Sequence, residues 1–195
     1  SLMDSADQNR YSRQIKLPQV GADGQSRLLN SHVLIIGMGG LGSPVALYLA
    51  SAGVGRLTIS DFDRVDESNL QRQVIHRQSM IGEPKAASAR EAIAQLNARC
   101  AVEVIDYELD GDDLLQTVMA ADVVVDCTDN FPSRFHLNEV CLQTGTPLVS
   151  GAAIRWEGQV TTFAPRDPLS PCYRCLYPDT GIEGATCAME GVIAP

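Results

Sequence analysis

The sequence predicts the α/β class: a doubly wound, mostly parallel sheet, with N-terminal helices before it and a C-terminal loop region after it. Three observations carry this. A continuous apolar run, His32-Val-Leu-Ile-Ile, ends in glycine and feeds a helical pattern. Further short apolar runs then alternate with helical patterns, which is how parallel strands and their crossover helices read in a sequence. The alternation stops near Pro165, where proline, glycine and cysteine take over.

Taken in order, residues 7–17 are polar and compatible with a helix, and 25–29 suit a second short helix after the turn at 21–24. Strands are expected at 32–37, 56–61, 102–107, 123–127, 147–150 and 158–164. Helices are expected between them at 41–52, 85–97, 112–120 and 132–144. Residues 165–195 read as loop. The length suits one core, so residues 4–195 are expected to form one domain. Ser1 and Leu2 precede Met3 and read as an expression scar.

Hydrophobic residues at 45% and charged residues at 20% exclude a disordered chain. A net charge of −9 works against nucleic-acid binding, because the phosphate backbone would repel this surface. No apolar run approaches the roughly 20 residues of a membrane span, and no signal peptide opens the chain, so a cytoplasmic location is expected. Cys100, Cys127 and Cys141 fall within apolar patterns and read as buried reduced thiols.

Gly37-Met-Gly39-Gly40-Leu-Gly42 sits between the first strand and its helix, in the Rossmann-like setting where backbone amides and the helix dipole receive phosphate. Asp61 ends the second strand, at the distance from the glycines where a carboxylate binds ribose hydroxyls. An NAD-dependent oxidoreductase is one reading of this pair of signals. The cluster Ser68-Asn69-Leu-Gln71-Arg72-Gln73, with Lys85 after Pro84, favours phosphoryl or nucleotidyl transfer instead, where cations neutralise a triphosphate as pyrophosphate leaves. Asp129 and Asn130 follow the fourth strand, expected beside the first across the switch point of the sheet. A carboxylate there suits Mg²⁺ bridging ATP phosphates, or else a helix cap before Pro132. His32, His76 and His136 receive no catalytic role.

These residues resemble a known family, the MoeB, ThiF and HesA adenylyltransferases, bacterial relatives of the ubiquitin-activating enzymes. The shared motifs are Arg10-Tyr-Ser-Arg13-Gln, the glycine loop, Asp61-Phe-Asp63, Asn69-Leu-Gln-Arg72-Gln, Pro84-Lys85, Cys127-Thr-Asp129-Asn130, Ser150-Gly-Ala-Ala-Ile-Arg155, Gly158-Gln159 and Cys172-Tyr-Arg-Cys175. The resemblance implies that ATP and Mg²⁺ bind in the crevice and that the C-terminal glycine of a ubiquitin-like sulfur carrier is adenylated. Gly40, Asp61, Asn69, Arg72, Lys85 and Asp129 would contact nucleotide or metal. Gly37, Gly39, Gly42, Asp63, Ser68, Gln71 and Asn130 complete the implied ATP site. Arg13 would reach the triphosphate of the neighbouring subunit of a homodimer. Ser150 to Gln159 looks more like the MoeB branch, which serves molybdopterin synthase, than the ThiF branch, which serves thiamin thiazole synthesis. A noncatalytic scaffold would lack Arg72, Lys85 or Asp129, and all three are present.

Cys172 and Cys175 read as half of a tetrahedral Zn²⁺ site, which needs four ligands. The resemblance places a second cysteine pair further on, so truncation at the C-terminal end is expected. A redox dithiol is the competing reading, set against by the placement of the pair in a proline-rich loop rather than at a helix start. Cys187 stands where ThiF relatives carry a thiol that bonds to the carrier, and an incidental loop cysteine is the alternative.

Overall fold

The computed structural model describes residues 3–178. Six strands form one sheet in the order β3-β2-β1-β4-β5-β6, where β1 is His32–Ile36, β2 Arg56–Ser60, β3 Ala101–Ile105, β4 Val123–Asp126, β5 Leu148–Ile154 and β6 Glu157–Phe163. The first five run parallel and β6 returns antiparallel to β5. Strands β1 and β4 pair directly, so the chain reverses its winding between them, as expected for a doubly wound sheet.

Alternate residues of β1 explain the two layers. Val33 and Ile35 face a core closed by Ala46 and Ala50 of α4 (Gly42–Ala52) and by Ala86, Ala89 and Ile93 of α5 (Lys85–Leu96). Leu34 faces the other side, against Leu114 and Val118 of α6 (Gly111–Met119) and Phe135, Leu137 and Val140 of α7 (Phe131–Thr144). A strand buried on both faces has to be apolar at every position, which is why the run from His32 shows no alternation. Leu34 and Ile35 are fully buried, each stabilising the fold by about 1.5–3 kcal/mol.

The expected N-terminal helix at 7–17 is instead two, α1 (Ser5–Arg10) and α2 (Ser12–Ile15), and α3 (Gly21–Leu29) begins earlier than expected. The break falls at Tyr11, whose ring is drawn into the core and whose hydroxyl accepts from Asn97 Nδ2 at 2.9 Å. Strand β5 was expected to end at Ser150 but runs to Ile154, because antiparallel pairing with β6 carries Gly151 to Ala153 along. The turn between them places Arg155 in the left-handed region, at φ 52°. The tail also contains a one-turn helix, α8 (Tyr173–Leu176), where loop was expected.

Candidate functional site

Gly37 follows β1 directly, at φ 93°, and a Cβ there would lie 2.7 Å from the Cys127 carbonyl oxygen. Only glycine lets the β1 and β4 ends approach this closely. A Cβ on Gly42 would lie 2.0 Å from the Gly37 carbonyl oxygen, so the loop folds tightly back on itself before α4 begins. The loop borders a cavity of about 950 Å³ at the C-terminal ends of the parallel strands. No side chain caps the start of α4, which leaves its positive end toward that space.

Gly37, Gly39, Gly40, Asp61, Asp63, Arg72, Lys85, Asp129 and Asn130 all line this cavity. Asp61 is oriented by two backbone donors: Met38 N–H gives to Oδ2 at 2.7 Å and Asp63 N–H gives to Oδ1 at 2.8 Å. Lys85 opens α5 and is buried, and its Nζ lies 3.2 Å from Asp63 Oδ2. Arg72 donates to the Ser68 carbonyl at 3.1 Å. Asn130 is the cap of α7, accepting from Ser133 N–H at 2.9 Å, while Asp129 beside it is exposed. The capping alternative thus falls to the neighbour of Asp129, and Asp129 is left to the cavity.

Other expected site residues stand back from the cavity. Gly42 acts through packing. Ser68 and Asn69 build a 3-10 turn with Asp66: Ser68 Oγ donates to Asp66 Oδ1 at 2.6 Å, and Asn69 Oδ1 accepts from Asp66 N–H at 3.1 Å. Gln71 follows that turn and does not line the cavity. Arg13 lies on α2, whose Gln14 donates to the Ala52 carbonyl at the far end of α4. Eleven helical residues, about 16 Å, separate that end from the glycine loop. Cys187 lies outside the described residues.

Several groups at the site were not anticipated. Asp126 is wholly buried at the end of β4, and its Oδ1 accepts from Thr128 N–H at 2.9 Å and Thr128 Oγ at 2.7 Å. Arg134, also buried, donates to the Thr128 carbonyl at 2.5 Å. Burial pushes the Asp126 carboxyl up, against the opposing pull of Arg134 and the Thr128 bonds. His76 sits beneath the glycine loop, and burial lowers its pKa. His136 reaches the cavity rim, 2.8 Å from Asp110 Oδ1. Asp110 is held below the usual carboxylate range, first by the Gly111 N–H and then by His136. The charge ending an apolar strand at Asp126 is a signal visible in the sequence; an arginine within a helical pattern, as at Arg134, carries none.

Cys172 caps α8 and Cys175 lies within it, so the pair does open a helix and the argument from loop placement fails. Both thiols are free and the sulfurs lie 3.6 Å apart. That is close to the edge of about 3.8 Å for a tetrahedron with Zn–S near 2.3 Å. Burial raises the Cys172 thiol, but hydrogen bonds from Cys175, Arg174 and Asn138 outweigh it and hold the thiol below its ordinary value. Among the described residues, no group of three or more His, Cys, Asp or Glu is placed to hold a metal. Cys100, Cys127 and Cys141 are buried and free as expected, with Cys127 and Cys141 pushed up to about 12. No helix among the described residues is long and apolar enough to cross a membrane.

Comparison with known proteins matches residues 11–195 to the ThiF family. The chain is 49% identical to the molybdopterin-synthase adenylyltransferase of Escherichia coli K12, over 95% of this chain and 74% of the relative. It is 46% identical to the SAMP-activating enzyme E1 of Haloferax volcanii, over 98% of this chain and 70% of the relative. Among solved structures, Escherichia coli MccB with MccA-N7isoAsn superposes with a TM-score of 0.77 at 26% identity, over 86% of this chain and half of MccB. Escherichia coli TcdA, a tRNA N6-threonylcarbamoyladenosine dehydratase solved with ATP, gives 0.75 at 28% identity, over 80% of this chain and 65% of TcdA. With the glycine loop, the cations and the carboxylates gathered at one crevice, and the match running from Tyr11 onward, the chain belongs to the ThiF family.

Proposed function

We propose that the chain is an ATP-dependent adenylyltransferase that activates the C-terminal glycine carboxylate of a ubiquitin-like sulfur carrier, in molybdopterin biosynthesis. The observation that carries this is the meeting of Arg72, Lys85 and Asp129 with the glycine loop around one cavity. A hydride-transfer site does not require two cations beside the phosphate loop; a site that expels pyrophosphate uses them to neutralise the leaving group. The likeness to a molybdopterin-synthase adenylyltransferase supports the choice of carrier. The thiamin-pathway carrier is the alternative.

In this reading a carrier carboxylate oxygen bonds to the α-phosphorus as the bond to the bridging oxygen breaks, and pyrophosphate leaves with that electron pair. The glycine loop and the start of α4 receive phosphate oxygens, while Asp61 holds the ribose. Arg72 and Lys85 neutralise charge that grows on the leaving group, and confinement orients the reactants. Asp129 is a single hard oxygen donor facing the cavity, which fits Mg²⁺, an ion held by one or two carboxylates together with substrate phosphates. When bound, the metal supplies further neutralisation of the triphosphate. With a second cysteine pair further on, Cys172 and Cys175 would supply two of the four ligands of a structural Zn²⁺.

Arg13 is assigned to the partner's site in a homodimer, since α2 docks at the end of α4 remote from its own cavity. Carrier-dependent exchange of pyrophosphate into ATP tests the function. Exchange is expected with the molybdopterin-pathway carrier. Tight NAD binding without exchange across carriers from both pathways would refute it.

A further inference from the structure

We propose that His76 is a positioning residue of the nucleotide site, locking the glycine loop to the helix that carries Lys85. The inference rests on the nucleotide-binding reading above. His76 lies in the connection between β2 and α5, 5% exposed, with both ring nitrogens engaged. Nε2 is 2.9 Å from the Met38 carbonyl oxygen and Nδ1 is 2.9 Å from Ser88 Oγ. A carbonyl only accepts, so Nε2 carries a proton, while the Ser88 hydroxyl can meet Nδ1 as donor or acceptor. Burial lowers the pKa of the ring and so favours the neutral form, in which Nδ1 accepts from the Ser88 hydroxyl.

Met38 is the second residue of the glycine loop. Its carbonyl belongs to the same planar peptide as the Gly39 N–H, and in a trans peptide the two point in opposite directions. Holding the carbonyl toward His76 thus aims the Gly39 N–H toward the other side of the loop, and Gly39 lines the cavity. On the other flank of Met38, its own N–H is held by Asp61 Oδ2. Both peptides that meet at Met38 are consequently fixed by side chains from outside the loop.

Ser88 and Lys85 stand three residues apart on α5 and share a face. Lys85 binds Asp63, Asp63 N–H binds Asp61, Asp61 binds Met38 N–H, the Met38 carbonyl binds His76, and His76 binds Ser88. This ring leaves and re-enters α5 within one turn. It sets the spacing between the ammonium of Lys85 and the loop amides, the two features that must grip one polyphosphate together.

The test is calorimetric binding of α,β-methylene-ATP to the full chain and to three variants, with folded fraction checked by thermal melting. A glutamine amide reaches the Nε2 position and keeps the donor to Met38, whereas an asparagine amide reaches only the Nδ1 position and keeps the Ser88 contact. His76→Gln should bind within about threefold of wild type, and His76→Asn and His76→Phe about tenfold more weakly, the scale of one lost hydrogen bond. If His76→Phe does not fold, the contrast between Gln and Asn decides. Asparagine binding within threefold of wild type, or glutamine as weak as asparagine, would overturn the assignment of His76. Absence of binding by folded wild type would instead defeat the nucleotide reading, and this inference with it.

Discussion

Lys85 has a side chain only 9% exposed, yet its ammonium meets the carboxylate of Asp63, whose side chain is 60% exposed. A cation withdrawn from water opposite a solvated partner retains much of its field, and that field points into the cavity Lys85 lines. Arg72 differs: it is tied to the Ser68 carbonyl, a neutral acceptor that does not offset its charge. Replacing Arg72 or Lys85 with Ala should lower carrier-dependent ATP–pyrophosphate exchange by about 10²-fold, the scale for one preorganised charge contact in a transition state. Exchange rates within a few-fold of wild type would remove that residue from the mechanism.

At the junction of β4 and α7, Thr128 is gripped from two sides, its N–H and hydroxyl by Asp126 and its carbonyl by Arg134. The grip fixes the backbone that presents Asp129. Burial raises the Asp126 carboxyl above its ordinary value of 3.8. A raised folded-state value means that the native state binds the proton more tightly than the unfolded chain, so this contribution to stability is full below 3.8 and is lost as pH rises through the folded value. The stability of wild type relative to Asp126→Asn, from denaturant titrations at several pH values, should therefore decline as pH rises above 4. A margin that grows with pH would contradict the burial assigned to this carboxyl. The same junction shows what sequence could disclose. The apolar run of β4, the glycine loop and the cations after β2 are local patterns, and local patterns survive in a string of letters. The partnership of Asp126 with Arg134 depends on a helix folding back over a strand end. Likewise Gly151 to Ala153 have little intrinsic preference for a strand and become one because β6 pairs with them. Tyr11 breaks a helix because its ring has a place in the core.

Across the whole molecule, the cavity lies at one end of the sheet and the N-terminal helices dock near the other, joined through α4 and α5. Arg13 serves a site only if a second copy brings it there. Arg13→Ala and Asp129→Ala homodimers should each be nearly inactive. A mixed dimer has one site with both residues and one with neither, so up to half of normal exchange should return when subunits are allowed to swap; confirmed exchange of subunits without recovery would show that Arg13 does not act across the interface. In the proposed reaction this cavity joins AMP to a carrier's C-terminal carboxylate. Intact-mass measurement of the molybdopterin-pathway carrier after incubation with the enzyme, ATP and Mg²⁺ addresses it most directly. The carrier should gain the mass of one adenylyl group, and a carrier lacking its final glycine should gain none; an unmodified carrier in the presence of folded, ATP-binding enzyme would contradict the account.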